Sequence, residues 1–353
     1  MRLPSFDGHN DFLLKILRQP ERRAALWAGD GTTQISRAQM QAGGMVGGMF
    51  AVYIPSPTPH DDPALEAAME NPPFVMPLDE PVELAHSQAV ALAMIGHLKA
   101  LERTGELSIC TDTAAIRAAI AAGRTAAVLH IEGAEPIDPD LDALYLFHDM
   151  GLRSLGPVWS RPTAFGHGVP FACPSSPDTG PGLTEAGQRL IRACNALGIA
   201  IDLSHLNEAG FWDVARISDA PLIATHSNAH AVTPSSRNLT DRQLAAIRDS
   251  GGMVGLNFAA AFLDPEGRRR AFAGWDPVLR HLDHLIGILG EDHVGLGSDF
   301  DGALTPENLP DAAALPALWQ ALADHGYGAD LLRKLALDNW LAALDRSWHP
   351  PRA

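Results

Sequence analysis

The chain has 353 residues, 46% of them hydrophobic, and a formal net charge of −16. That length suits one large α/β domain with a buried core, or two ordinary ones, and the hydrophobic share excludes a disordered chain. The acidic balance argues against nucleic acid or an anionic membrane as partner, and no apolar run reaches the roughly 18–20 residues of a membrane span.

Runs rich in glycine and apolar residues alternate with helix-period segments, the pattern of a parallel α/β protein. A first strand is expected at 3–9 and a second at Gly44–Ile54, which feeds a stretch with eight prolines between Pro55 and Pro81. A helix is expected from Val82 to Arg103, with Leu84, Ala91, Ile95 and Leu98 on one face. Another runs from Asp112 to Ala122, with Gly123 as C-cap. The third strand, Ala126–Ile131, ends in Glu132-Gly133. After a helix at 141–149 comes strand four, Arg153–Trp159, then a second irregular insertion, Ser160–Gly182. Helix 184–197 carries Thr184 as N-cap and Leu190, Ile191, Cys194 and Leu197 as its buried stripe. Strand five is Ile199–His205, and a short helix at 208–217 leads to strand six, Pro221–His226. A capping box at Thr240–Gln243 opens helix 240–249. Strand seven is Gly252–Phe258, helix 276–289 follows, strand eight is His293–Asp299, and the remainder reads as C-terminal helices. Eight strands, helices between most of them and no linker predict a single (β/α)8 TIM barrel over 1–353. Its long insertions, after strands 2 and 4, should sit above the C-terminal strand ends, where such barrels keep their active sites.

Phe6-Asp7-Gly8-His9-Asn10-Asp11 places an imidazole and a carboxylate at i and i+2. In an extended strand both point the same way, and together they suit a transition metal such as zinc. Glu132, His205, His226 and Asp299 each close an apolar strand-like run. Taken singly, each has an ordinary structural explanation: a salt bridge for Glu132, a satisfied histidine for His205 or His226, a cap for Asp299 or Asp301. Together they lie at one end of the predicted strands, and chance would scatter them. His130, two residues before Glu132, faces the same side. His60, His86, His97, His148, His281, His284 and His293 are assigned no ligand role.

These segments resemble the renal or membrane dipeptidases, zinc peptidases of family M19 in the amidohydrolase-like barrel group. The resemblance runs through Asp7-Gly8-His9-Asn10-Asp11, Ile131-Glu132-Gly133, Ile201-Asp202-Leu203-Ser204-His205 and Thr225-His226-Ser227-Asn228-Ala229. It continues through Ser236-Arg237-Asn238-Leu239, Leu282-Asp283-His284, Ser298-Asp299-Phe300-Asp301-Gly302 and Leu337-Asp338-Asn339. It implies two Zn2+ per chain, with His9 and Asp11 on one, His205 and His226 on the other, and Glu132 bridging both. It also implies Asp299 as the acid/base carboxylate and Arg237 as the group that grips a dipeptide's carboxylate. A bridging glutamate, with no lysine ending any predicted strand, favours dipeptidase over the deaminase or cyclic-amidase branches. Two divalent ions can share a water and lower its pKa toward about 7, giving a hydroxide that attacks an amide carbonyl.

One departure stands out. Where the family has a histidine after strand four, this chain has Trp159, which is assigned to the substrate pocket. Arg161 and His167 in the next insertion are candidates to take over part of the missing histidine's role. The expected substrate is a free dipeptide, L,L and also L,D. Other metal-dependent amidase activity, on N-acyl amino acids or β-lactam-like amides, is the alternative, and a metal-binding barrel without catalysis is the rival from another class. Intact Asp299 and Arg237 argue against that last reading. Cys110, Cys173 and Cys194 are odd in number, far apart and without a C-x-x-C pair, so they read as unpaired thiols in a reducing compartment. The site begins at His9, which leaves no room for a cleaved presequence, and the tail Ser347-Trp348-His349-Pro350-Pro351 is no lipid-anchor signal. The expected location is therefore cytoplasmic. The sequence leaves a homodimer open.

Overall fold

The computed structural model describes residues 1–56 and 67–348. The expectations for His60, the middle of the first insertion and the tail from His349 fall outside the described residues. Eight parallel strands form the barrel: β1 (Ser5–Asn10), β2 (Met45–Tyr53), β3 (Thr125–Glu132), β4 (Leu152–Gly156), β5 (Ala200–Ile201), β6 (Ile223–Ala224), β7 (Met253–Asn257) and β8 (Val294–Gly297). Their order around the sheet is β5-β4-β3-β2-β1-β8-β7-β6. A parallel bridge between Asp202 and Ile223 joins the ends, and Leu203 N donates to Ile223 O at 2.7 Å. The register of β3 sets Glu132 beside Tyr53 of β2 and Gly156 of β4. The predicted barrel is thus observed, with strands five and six shortened to two residues each.

The local signals hold where capping chemistry supports them. Thr184 Oγ1 accepts from Gly187 N at 3.0 Å, and Thr240 and Gln243 form the reciprocal capping box. The helix expected from Val82 to Arg103 spans Leu84–Glu102 and buries Ala91, Ile95 and Leu98. Leu84 itself, the first residue of the helix, is exposed. Three helices that the sequence reading left unassigned, Phe12–Arg18, Arg23–Ala28 and Arg37–Gly43, fill the β1–β2 connection. A short strand, Leu107–Ile109, extends the sheet beside β3.

The two insertions meet above the barrel, where Phe74–Val75 pairs antiparallel with Ala172–Cys173. The opposite end is closed by the C-terminal helix Asn339–Trp348. Its Trp340 is fully buried beside Phe6, and its indole donates to Leu296 O at 2.8 Å. Asn339, in the last of the quoted motifs, donates to Glu291 O at 2.7 Å and Val294 O at 2.8 Å. It pins that helix to the start of β8, which is a structural task.

Candidate metal centre

The strands deliver the expected side chains to one place. His9 Nε2 lies 3.4 Å from Asp11 Oδ2 and 3.6 Å from Glu132 Oε2. The other oxygen of the same carboxylate, Glu132 Oε1, lies 3.1 Å from His205 Nε2 and 3.3 Å from His226 Nε2. The two Nε2 atoms are 3.0 Å apart. Glu132 therefore turns one oxygen to each of two ligand sets. Asp299 joins His9 and Asp11 in a third close group.

His205 and Asp299 have φ of +68° and +60°, a left-handed region that histidine and aspartate tolerate better than most residues. That turn, rather than the strand itself, aims both groups inward. Gly133 follows Glu132 at φ +89°, a conformation that suits glycine. A Cβ on Gly302 would collide with the carboxylates of Asp11 and Asp299, so glycine keeps that side of the site open.

The arrangement fits a bound cation. Thr225 Oγ1 donates to Asp202 Oδ2 at 2.6 Å, so it accepts from His226 Nδ1 at 2.8 Å. A neutral imidazole that donates from Nδ1 carries its lone pair on Nε2. That lone pair faces Glu132 Oε1 at 3.3 Å and His205 Nε2 at 3.0 Å. Both ring nitrogens of His9 are buried without a hydrogen-bond partner. Burial works against a charge on His9, yet the Glu132, Asp11 and Asp299 carboxylates outweigh it and hold the imidazolium up to about 10. His205 and His226 are pushed well below the usual histidine range, by burial first and then by Arg237 and His9. The cluster stabilises positive charge at its centre, and its imidazole and carboxylate donors suit zinc.

A cavity of about 280 Å³ opens onto this cluster, lined by Asp11, Glu132, His205 and Asp299 at its inner end. Trp159 forms part of the wall, with its ring centroid 5.0 Å from that of Tyr53 and 5.7 Å from those of Phe171 and His205. Arg237 is buried one layer behind the lining. Its guanidinium lies 5.3 Å from the Phe262 centroid, Nη2 donates to His226 O at 3.2 Å, and Nε is a buried donor without a partner. Burial lowers its pKa to about 10, opposed by Asp299 and Glu132.

Arg161 and His167 do not line the cavity. Arg161 is fully buried, with Nε 2.7 Å from Glu135 Oε1, and its guanidinium lies 5.2 Å from the Trp159 centroid. His167 Nδ1 is 3.2 Å from Gly182 O, within its own insertion. His130 faces the same side as Glu132 but one layer deeper, with Nδ1 2.9 Å from Ser154 Oγ. Asp301 is occupied by the backbone N–H groups of Gln34 and Ile35, at 2.8 and 3.2 Å.

Sequence reasoning missed Asn257, whose Nδ2 donates to Asp299 Oδ2 at 3.0 Å. It lies near the end of predicted strand seven, and that position was the available signal. Asp202 was quoted as part of a motif but given no task. Tyr53, Phe171 and Phe262 carry no pattern that separates pocket walls from core.

A closed (β/α)8 barrel with imidazoles and carboxylates gathered at its C-terminal mouth defines the class as a metal-dependent hydrolase. The profile of the membrane dipeptidase family, peptidase family M19, matches residues 1–347. The chain belongs to that family. A solved metallopeptidase from Rhodobacter sphaeroides, liganded with a phosphinate mimic of the dipeptide L-Ala-D-Ala, is 60% identical. Its TM-score is 0.97, over 99% of this chain and 100% of that one. The solved dipeptidase AC, a metallopeptidase of family M19, is also 60% identical, with a TM-score of 0.96 over 99% of each chain. An uncharacterized protein in the pqqA 5′ region of Klebsiella pneumoniae is 47% identical over 270 residues, covering 76% of this chain and 98% of that protein. A probable dipeptidase from Pseudomonas aeruginosa, 21% identical, shares the fold with a TM-score of 0.81 over 98% of this chain and 96% of that one.

Proposed function

We propose that the protein is a binuclear zinc dipeptidase that hydrolyses the peptide bond of free dipeptides, L,D as well as L,L. The observation that carries this reading is the split of Glu132, with Oε2 toward His9 and Oε1 toward His205 and His226. His9 and Asp11 would hold one ion, His205 and His226 the other, and Glu132 both. When bound, the ions supply Lewis acidity, acidifying a water and polarising the scissile carbonyl.

The remaining tasks fall to the chain's own groups. Asp299 has Oδ2 held by Asn257 and lines the cavity. Burial raises its pKa, which suits a carboxyl that takes up the attacking water's proton and passes it to the departing amine. In this reading Arg237, one layer behind the lining, serves the dipeptide's terminal carboxylate: its Nε is a buried donor without a partner, and a guanidinium matches a carboxylate as a planar fork. Trp159 forms a flat wall at the side of the pocket, and in this reading its indole N–H serves as a donor to the substrate. Residues 1–353 form a single metallo-dependent hydrolase barrel domain in this reading. No helix among the described residues is long and apolar enough to cross a membrane. With Cys110, Cys173 and Cys194 unpaired, the reading places the protein in the cytoplasm.

The test is turnover of L,L and L,D dipeptides by zinc-loaded protein, alongside elemental analysis. Near two zinc ions per chain, cleavage of free dipeptides and inertness toward their N-acetylated forms are expected. Cleavage of N-acyl amino acids with no action on dipeptides would replace the reading with a general amidase.

A further inference from the structure

Behind the candidate ligands stands Asp202, a buried carboxylate outside the cavity lining, whose Oδ2 also lies 3.6 Å from His130 Nε2 in a close group with His9 and His130. Its Oδ1 accepts the backbone N–H groups of Ser204 at 3.0 Å and Thr225 at 2.8 Å. Its Oδ2 accepts the Thr225 hydroxyl at 2.6 Å. That hydroxyl is 2.8 Å from His226 Nδ1, while Asp202 Oδ2 itself is 4.0 Å from the same nitrogen. Asp202, Thr225 and His226 are all at most 1% exposed, so water does not substitute for any member of the chain.

We propose that Asp202 is a positioning residue that fixes the tautomer of His226 through Thr225, and that this relay decides whether His226 can hold metal. The inference rests on the metal reading above. A hydroxyl has one proton to give. Because Thr225 gives it to the carboxylate, it accepts from Nδ1–H and leaves the lone pair on Nε2. Nε2 is the atom that faces Glu132 Oε1 and His205 Nε2. Outer partners of this kind orient ligating histidines and hold the ring in the ligating tautomer.

The same geometry makes the near-isosteric asparagine the wrong residue. In Asp202→Asn the two backbone N–H groups keep the amide oxygen at the Oδ1 position, so the NH2 takes the place of Oδ2. That NH2 donates to Thr225 Oγ1, which must then donate to His226 Nδ1. The ring proton moves to Nε2, and the lone pair is lost from the metal side. Thr225→Val instead removes the relay and frees the ring to take either tautomer. Combining the two removes the wrong donor's path to the imidazole, so the double variant should recover.

The experiment uses full-length zinc-loaded protein in competition with a chromophoric chelator, with elemental analysis in parallel. Loss of an outer partner is worth about 10–100-fold in metal affinity. Asp202→Asn should weaken one of the two ions by about 100-fold and Thr225→Val by about 10-fold. The double variant should return to the Thr225→Val level, a non-additivity that general misfolding does not produce. Ring ¹⁵N shifts of chelator-stripped protein give an independent readout: protonated Nδ1 on His226 in the wild type, protonated Nε2 in Asp202→Asn. Wild-type zinc affinity in Asp202→Asn, or a double variant weaker than both singles, would overturn the relay. A wild type that fails to retain two ions would overturn the metal reading instead, and the ¹⁵N pattern would still decide the relay.

Discussion

Arg161 offers a test of how the pocket wall is held. It is fully buried, donates from Nε to Glu135 at 2.7 Å, from Nη1 to Ser56 Oγ at 3.0 Å and from Nη2 to Ile54 O, and lies 3.7 Å from Asp79. One face of its guanidinium supports Trp159 and Tyr53, at 5.2 and 5.6 Å from their ring centroids. Arg161→Met keeps the stem's bulk and removes the charge, which leaves Glu135 buried without its cation. Breaking one side of a buried pair costs about 3–5 kcal/mol, a large share of the roughly 5–15 kcal/mol that stabilises a typical domain. Cation–π support for the wall adds about 0.5–2 kcal/mol. Denaturant unfolding monitored by far-UV circular dichroism should show that loss, and adding Glu135→Gln should recover part of it, since the carboxylate in closest contact with the lost cation is then gone. The kcat/KM of the folded variant should fall less than about tenfold, because the change is in a wall and not in a reacting group. Unchanged unfolding together with a kcat/KM loss of about 10² or more would refute this and make Arg161 a substrate contact.

Three further outcomes are expected. Asp299→Asn should retain most of its metal by elemental analysis and lose about 10²–10⁴ in kcat, as removal of a proton-transfer group does; near-normal kcat would move that role elsewhere. Arg237→Met should raise KM for free dipeptides far more than for C-terminally amidated ones, and equal effects on both would show that it does not read the carboxylate. Trp159→Phe keeps most of the wall and removes the indole N–H: a kcat loss of about 10²–10³ with KM little changed would mark an oxyanion donor. A shift in side-chain preference alone would mark a pocket wall.

The barrel was legible because its two periods are strong and its loops are punctuated by capping residues such as Asp112, Thr184 and Thr240. What the sequence hid was mostly non-local. The pairing of Phe74–Val75 with Ala172–Cys173 involves two-residue strands about a hundred positions apart, far too short for any periodicity to show. The helices of the β1–β2 connection span only six or seven residues each, so their apolar faces do not stand out from the background. Strands five and six read as longer than they are because the chain stays buried past them, through Asp202-Leu203-Ser204-His205 and Thr225-His226. There the Asp202 side chain takes over from the backbone ladder, accepting the N–H groups of Ser204 and Thr225. That exchange releases the main chain to turn His205 inward at φ +68°.

The pair that opens the site shows why a correct placement needs its geometry checked. His9 and Asp11 were expected to converge because side chains two apart in a strand share a face. The strand in fact ends at Asn10, and Asp11 occupies the N-cap of the following helix at φ −105° and ψ 27°. An N-cap aspartate ordinarily spends its carboxylate on the helix's free N–H groups, but Asp11 makes no such bond. Its backbone N–H donates instead to Phe300 O at 2.8 Å, and Asp299 N donates to His9 O at 3.0 Å. These bonds fasten β1 to the segment after β8, and Asp11 Oδ2 is left 3.4 Å from His9 Nε2. The convergence comes from the closure of the barrel between its first and last strands, so a change that loosens Ser298-Asp299-Phe300 should disturb Asp11 as directly as it disturbs Asp299.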